Sequence, residues 1–380
     1  MLLLAGLLFW QTNKAHGQDS SHIRIALLTC TPGAELYSTF GHTAFRITDS
    51  SSVTDYVFNY GTFNFEDEGF YLKFIRGKLR YYLSAEAFPY FKAAYQAENR
   101  GITEQVLQLD GDEKLALMRA LQENARETNK FYQYDFFFDN CTTRPRDMLV
   151  KYKKNHPGFN PVMPAGTTFR HAIHEYLDKN EKHWSKLGID LLLGARTDAV
   201  MTTSQSQFLP DNLMQSLEHP KGQQPLVIST TNLYPVIVTP ANGAGITPML
   251  VFSLLFLVVT GMGFIKSRRV KNILLGFDGI FFFLTGMFGI LLILMWVATD
   301  HSMTKDNYNL LWAWPINTIA AFYVRSSGKR VRVYFGLSAI ALALLLAAWF
   351  FLPQQMNNAL IPLVLILLIR NAEKYFRGGA

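Results

Sequence analysis

The chain has 380 residues, of which 49% are hydrophobic and 14% aromatic, and its formal net charge is +7. This length is enough for one large core and a second unit. Residues 246–380 carry 12 Lys+Arg against 4 Asp+Glu, out of totals of 36 and 29, so residues 1–245 are almost neutral. The positive charge therefore lies in short loops between apolar runs, which is a pattern of membrane topology rather than of nucleic-acid binding.

The N-terminus begins with the apolar stretch MLLLAGLLFW and continues with polar and small residues. About ten apolar residues are too few to span a bilayer, but they suit the apolar part of a secretory signal peptide. The basic residues that usually precede that part are missing. We predict a signal peptide over residues 1–17 that is cleaved near Gly17; an uncleaved anchor is the alternative.

Alternating apolar and polar residues predict several β-strands in the next part of the chain. Residues 22–30 predict a buried strand. Residues 42–49 and 55–63 are rich in β-branched and aromatic residues, so they predict two strands joined by a hairpin loop. The aromatic segment 131–141 is also strand-like.

Two later segments, 111–129 and 167–180, have the apolar period of amphipathic helices, and the first has an aspartate cap. Residues 219–245 contain four prolines and are predicted to be an extended linker. Residues 18–218 are therefore predicted to form a globular domain ahead of this linker.

Five apolar segments follow the linker. The third and the fifth are short for a bilayer that needs about 20 residues per helix. The five segments are 246–265, 273–298, 308–324, 333–352 and 356–370.

The charges in the connecting loops predict the orientation of these segments. Loops 266–271 and 325–332, together with Arg370, Lys374 and Arg377 at the C-terminal end, hold 11 of the 12 Lys+Arg, whereas the opposite loops hold only Lys305. Cationic loops face the cytoplasm, so the first segment enters the membrane from outside and the globular domain is exported. Residues 246–372 are thus predicted to be a five-helix transmembrane domain and residues 373–380 a cytoplasmic tail.

His42 follows a glycine and opens the predicted strand 42–49. A hydrogen-bonded core histidine is one interpretation, and a general base that serves a nucleophile from elsewhere in the chain is the other. The chain has two cysteines, Cys30 and Cys141. A disulfide between them is one interpretation in an oxidising compartment, and a nucleophilic thiol is the other.

Cys141 follows an Asp-Asn pair at the start of a predicted helix. The helix dipole and the nearby Arg144 and Arg146 favour the thiolate form of a cysteine there. Pro145 is tolerated only in the first turn of a helix, so the helix should begin near Cys141. The backbone N–H of Cys141 would then be a natural donor to an oxyanion.

The order of a strand histidine and a later cysteine at a helix start resembles the circularly permuted papain-like group, which includes lecithin:retinol acyltransferase-like enzymes. A longer set of motifs is more specific: LLTCTPGAELYSTFGHTAFRI, FNYGTFNF and DNCTTRPRD, followed by five membrane segments. Over nearly the whole chain this combination is similar to the Lnb-type bacterial lipoprotein N-acyltransferase family. The resemblance implies an α+β fold class, with a circularly permuted papain-like exported domain followed by an all-α five-helix transmembrane bundle.

The resemblance also implies the activity and the partners. The acyl donor would be a membrane phospholipid, and the acceptors would be diacylated lipoproteins at the cell inner membrane. Cys141 would be the nucleophile and His42 the base. No cofactor and no metal would be needed.

A third side chain should orient the imidazole of His42. In the circularly permuted papain-like group, this side chain comes from the strand that follows the histidine strand. Asn59 is favoured over Tyr60 and Asn64, and Asp55 lies in loop composition. Further candidates for substrate binding are Tyr60, Arg144, His301, Asn307 and Asn309.

The last three of these residues lie in the outward loop, ahead of Trp312 and Trp314. Polar groups near the membrane interface cost free energy to insert and are often functional, so these three residues are candidates to hold a lipid headgroup. Anchoring of the bundle at the membrane interface is the alternative. His171 and His174 lack a metal-binding motif, so no metal site is predicted there.

Two other functions stay open. The first is a membrane-tethered periplasmic cysteine hydrolase that acts on peptidoglycan or peptides, although an aromatic lining of Cys141 by Phe136, Phe137 and Phe138 argues against it. The second is an assembly or transport accessory protein, in which His42 is structural and Cys141 is bonded to Cys30.

Overall fold

The computed structural model describes residues 20–156, 158–222, 224–235 and 245–377. The predicted signal peptide lies outside the described residues. The described chain is a mixed α+β structure, with an N-terminal sheet domain followed by a helical region.

The sheet domain is built on seven antiparallel strands in the spatial order β6-β4-β3-β2-β1-β5-β7. The strands are β1 Ile23–Cys30, β2 His42–Asp49, β3 Thr54–Thr62, β4 Arg80–Ala87, β5 Ile102–Leu107, β6 Phe131–Gln133 and β7 Val227–Tyr234. The helices of this domain are α1 Phe70–Ile75, α2 Phe88–Ala97, α3 Gly111–Asn124, α4 Thr143–Tyr152, α5 Phe169–Lys179, α6 His183–Leu192, α7 Thr203–Ser206 and α8 Pro210–Glu218.

Both faces of the sheet are covered, because successive side chains of a strand point to opposite faces. On one face, Leu27 and Phe45 pack in a core with side chains of α3, α4 and α8. On the other face, Leu28 and Ala44 pack with side chains of α2. Burial on both faces explains why the central strand β1 is apolar at almost every position.

The structure confirms most of the elements predicted in this domain. The three strands predicted from 22–30, 42–49 and 55–63 are β1, β2 and β3. The helix α3 begins after Asp110, whose side chain accepts from the backbone N–H of Glu113, while the Glu113 side chain accepts from the N–H of Asp110. This reciprocal capping box satisfies two backbone donors that the first helical turn leaves free.

Two predictions in this domain are corrected. Only the first residues of the aromatic segment 131–141 form a strand; Asp135 then accepts from the N–H of Phe137 at 2.9 Å and turns the chain. The predicted linker contains the edge strand β7, which pairs with β5. The β-branched residues of β7 lie between prolines at 225 and 235, and proline cannot donate to a sheet.

The helical region contains α9 Pro248–Gly263, α10 Arg268–Val297, α11 Asn317–Ala320, α12 Lys329–Ala347 and α13 Ile361–Arg377. Among the described residues, α10 and α12 are long and apolar enough to cross a membrane, and α9 is a shorter apolar helix. Because α13 continues to Arg377, most of the predicted cytoplasmic tail is helical.

The third predicted membrane segment, 308–324, is not a continuous helix. It is broken into short turns around α11, because Trp314 is followed by Pro315, which has no N–H for a helical hydrogen bond. Gly286 and Gly289 of α10 let this broken backbone pack closely. A Cβ atom at Gly289 would lie 1.9 Å from the Ala313 carbonyl oxygen.

The loop that follows α10 joins the helical region to the sheet domain. The N–H of Gly194 donates to the Met303 carbonyl at 2.8 Å, and the N–H of Ala195 donates to the Asp306 carbonyl at 3.0 Å. The Met303 side chain packs with the buried rings of Phe169 and Phe208. These contacts hold the sheet domain at the end of α10.

Candidate active site

His42 is the first residue of β2 and lies beside Cys30 of β1. Gly41 makes this approach possible: its φ is +81°, and a Cβ atom there would lie 2.7 Å from the Cys30 carbonyl oxygen. Any larger residue would push His42 away from the sheet.

The loop that carries Cys141 is held by Asn140, which is buried. Its side-chain oxygen accepts from the N–H groups of Thr142 and Thr143 at 2.7 and 2.8 Å. Its side-chain nitrogen donates to the carbonyls of Phe136 and Phe208. Because Asn140 caps the helix in this way, α4 begins at Thr143, two residues later than predicted from Cys141, and the thiol is presented just ahead of the first turn.

Strands β2 and β3 both reach this loop. The buried hydroxyl oxygens of Thr43 and Thr142 are 3.1 Å apart and share a hydrogen bond. A bulge in β3 between Asn59 and Thr62 brings Gly61 against the thiol, and a Cβ atom at Gly61 would lie 3.4 Å from the Cβ atom of Cys141. The cysteine is thus fixed between two strands and a helix start.

The imidazole of His42 is oriented by a chain of polar groups. Its Nε2 lies 2.9 Å from the side-chain oxygen of Asn59, and the Asn59 side-chain nitrogen donates to Glu86 Oε1 at 2.9 Å. A carboxylate can only accept, so Glu86 fixes which way the Asn59 amide points. The Asn59 oxygen then accepts from Nε2–H, which leaves Nδ1 as the basic nitrogen of the ring.

The pKa values of the two reactive groups shift towards an ion pair. Burial opposes ionisation of Cys141, but the facing His42, the N–H of Thr43 and the hydroxyl of Thr142 outweigh burial and lower the pKa of the thiol. Burial also disfavours the charged form of His42, yet the Cys141 thiolate and the hydrogen bond to Asn59 raise the pKa of the imidazole. The arrangement favours a thiolate beside an imidazolium.

Cys30 differs from Cys141 in its exposure and in the direction in which its pKa is shifted. Both cysteines are free thiols, so the structure does not contain the disulfide considered above. Cys30 is fully buried, and burial raises the pKa of its thiol to about 12.

Alkylation of the native protein should therefore modify Cys141 alone. The thiolate is the reacting form, so the reaction should begin at a pH below that of an ordinary thiol and increase as the pH rises through the lowered pKa of Cys141. Iodoacetamide labelling across a pH series, followed by peptide mass spectrometry, measures this. Equal labelling of Cys30, or a Cys141 profile that matches free cysteine, would contradict the assigned electrostatics.

The structure brings together Cys141, His42 and Asn59 but places Tyr60 elsewhere. Tyr60 is buried in the core on the opposite face of the sheet, where its hydroxyl accepts from Asn124 and contacts the Met148 sulfur. The prediction that Tyr60 binds substrate is therefore wrong. Strict alternation along β3 could have shown this, since Asn59 shares its face with Val57, whereas Tyr60 shares its face with Phe58.

Arg144 is bound within the protein. Its guanidinium makes two hydrogen bonds to Asp139, at 2.6 and 2.8 Å, and lies 3.5 Å from the ring centre of Tyr132. These contacts with Asp139 and Tyr132 stabilise the loop that precedes Cys141.

The three residues of the loop after α10 that were predicted to bind substrate also contact the sheet domain. Asn307 and Asn309 are buried, and their side chains donate to backbone carbonyls of α6. His301 is exposed, and its Nε2 lies 3.1 Å from the carbonyl oxygens of Phe74 and Ile75. Both asparagines therefore join this loop to α6 of the sheet domain.

The aromatic lining expected around the thiol is made of different residues. Phe136 and Phe137 pack with Phe169 and Phe208 in a separate cluster. Close to Cys141, the ring of Tyr134 and the hydroxyl of Tyr132 approach the position of Gly61 instead. Glu86 was not predicted, although it shares a sheet face with Asn59 by the register of β3 and β4.

Comparison with known families identifies both regions of the chain. The model of the Lnb N-terminal periplasmic domain matches residues 11–173, and the model of the Lnb transmembrane domain matches residues 240–377. No curated protein and no solved structure matches the chain. The two matches lie in the expected order and cover most of the sequence, so the chain belongs to the Lnb family, with a periplasmic domain ahead of a transmembrane domain.

Proposed function

We propose that this protein is a lipoprotein N-acyltransferase that moves a fatty acyl chain from a membrane phospholipid to the α-amine of a lipoprotein's diacylglyceryl-cysteine. The observation that carries the proposal is the low-pKa Cys141 thiol beside an Asn59-oriented His42, in a domain fixed to a helical membrane region. A nucleophile, a base and a bilayer contact are what acyl transfer between two lipids requires.

The first half-reaction forms a thioester. Nδ1 of His42 holds the proton of Cys141, and the thiolate attacks the ester carbonyl of the phospholipid. The backbone N–H of Cys141, which has no hydrogen-bond partner among the described residues, is the candidate donor to the oxyanion. The C–O bond then breaks, the leaving alkoxide takes the proton from His42, and a lysophospholipid departs.

The second half-reaction forms the amide. The free α-amine of the lipoprotein attacks the thioester carbonyl, His42 accepts a proton from that amine, and the C–S bond breaks to release Cys141. The amide is more stable than the thioester, so the transfer runs forward without a cofactor.

The permuted papain-like fold is part of the same proposal. A histidine on strand β2 and a later cysteine at the start of α4 support it, because papain has these two groups in the reverse chain order. A multi-pass inner-membrane location with a periplasmic catalytic domain is also proposed. It is supported by the alternation of cationic and neutral loops and by the two candidate spans.

Acyl transfer and periplasmic hydrolysis predict different covalent intermediates. With phospholipid but no lipoprotein, the proposed enzyme should accumulate a fatty acyl group on Cys141, visible by intact-mass analysis and released by hydroxylamine at neutral pH. Addition of a diacylated lipopeptide should then discharge it into an N-acyl product. A hydrolase of peptides or peptidoglycan would give neither the adduct nor the product, and that result would overturn the proposal.

A further inference from the structure

Helix α1 has an unusual surface for a periplasmic domain. Phe70 is buried, but every residue from Tyr71 to Arg76 is exposed. Tyr71 is 75% exposed, Leu72 62% and Phe74 51%. An apolar patch of this kind on a folded domain normally marks a contact with a membrane or a partner.

The position of α1 indicates which of these contacts applies. His301 donates to the last carbonyls of α1, the N–H of Asp300 donates to the Arg76 carbonyl at 3.0 Å, and Lys78 lies 3.2 Å from the Asp300 carboxylate. Asp300 is three residues beyond Val297, the last residue of α10. An extended chain spans about 3.6 Å per residue, so the Cα atoms of Asp300 and Val297 are at most about 11 Å apart. The end of α1 is therefore tied to the end of a membrane helix.

The charged side chains of residues 66–78 are distributed in a way that suits a bilayer surface. Lys73, Arg76 and Lys78 lie in the half of the segment that is tied to α10, and all three side chains are exposed. The acidic residues Glu66, Asp67 and Glu68 precede the helix at its other end. Cations among apolar side chains suit the boundary between acyl chains and phosphate groups.

An aromatic path connects α1 to the candidate active site. The rings of Phe70, Phe65, Phe63, Tyr81 and Tyr134 follow one another at centre-to-centre distances of 5.0, 4.9, 5.3 and 4.4 Å. Tyr134 approaches the position of Gly61, which lies against Cys141. The aromatic contacts are thus continuous from α1 to Tyr134, which lies beside the strand position that faces Cys141.

We propose that α1 is an interfacial anchor that lies in the leaflet next to the sheet domain. Its apolar side chains enter the acyl region, and Lys73 and the adjacent Arg76 contact lipid phosphates. The aromatic path then gives an acyl chain in that leaflet a route to Cys141. This route rests on the proposed acyltransferase function, whereas insertion of α1 does not.

Lipid contact can be measured at single sites in the full-length protein in phospholipid nanodiscs. In a Cys141→Ser background the remaining native thiol, Cys30, is fully buried, so an introduced cysteine should carry the label. A bimane label at Tyr71→Cys is compared with one at Tyr90→Cys of α2, where the native residue is 74% exposed. Val258→Cys of the apolar helix α9 gives the reference for lipid contact.

Lipids that carry a nitroxide on the acyl chain should remove most of the fluorescence at position 71, as at position 258, and little at position 90. Quenching at position 71 no greater than at position 90 would overturn the proposal, whether water or another protein covers the helix. The readout needs no catalysis, so failure of the acyltransferase proposal would show in the adduct assay and not here. In protein that retains Cys141, Phe63→Ser and Phe65→Ser should lose adduct formation if the path guides the acyl chain, whereas the same substitutions in the labelled Cys141→Ser background should leave the quenching at position 71 unchanged.

Discussion

Replacement of Cys141 by serine should abolish N-acylation, and replacement of His42 by alanine should have the same effect. A serine hydroxyl lacks the lowered pKa that His42 and Thr43 give to the thiol, so it cannot form the attacking anion at neutral pH. Loss of a nucleophile from a group that acts as a unit lowers the rate by about 10⁴-fold or more. The assay is N-acylation of a synthetic diacylated lipopeptide by the purified variants.

Cys30 provides the matched control. Cys30→Ala removes the other thiol without burying a new hydroxyl, and it should retain acylation and the Cys141 adduct. Alkylation and unfolding measurements verify that all three variants are folded. Near-normal acylation by Cys141→Ser would eliminate the thioester mechanism, and loss of activity in Cys30→Ala alone would mean that the nucleophile is assigned wrongly.

Local patterns in the sequence were sufficient for the elements that hold the dyad. Alternation along β2 and β3 and the Gly-His pair predicted the strands that carry His42 and Asn59. The Asn-Cys pair at a helix start predicted the loop that carries Cys141. These features depend on residues that are adjacent in the chain, so their physical causes are visible without the fold.

Features that depend on distant residues were not predictable in the same way. Strand β7 pairs with β5, and nothing within 227–234 shows that an edge of the sheet is available. The Asn59–Glu86 hydrogen bond requires the register between β3 and β4, which the bulge after Asn59 alters. The sequence predicted Asn307 and Asn309 at membrane depth and therefore as headgroup ligands, but their partners are carbonyls of α6.

The attachment of the sheet domain to the membrane region should be sensitive to a buried charge network. Arg170 is fully buried, and its guanidinium pairs with Asp190 at 2.8 Å and with Asp198 at 2.9 Å. Asp190 also bonds to His174 at 2.7 Å and to Asn357, in the loop before α13, at 2.8 Å. The network thus crosses from the sheet domain to the helical region.

Arg170→Met is expected to destabilise the protein by about 3–5 kcal/mol, because it leaves two buried carboxylates without their cation. The matched control is Arg196→Met at the same junction, where Arg196 pairs with Asp306 and both side chains are about half exposed, so the loss should be about 0–1 kcal/mol. Chemical unfolding in detergent, with probes in each region, measures both. Adding Asp190→Asn to Arg170→Met should recover part of the loss, because the amide keeps an acceptor for His174 and removes one buried charge. If Arg170→Met costs no more than Arg196→Met, the exported domain is held by the backbone contacts of residues 298–309 and not by this network.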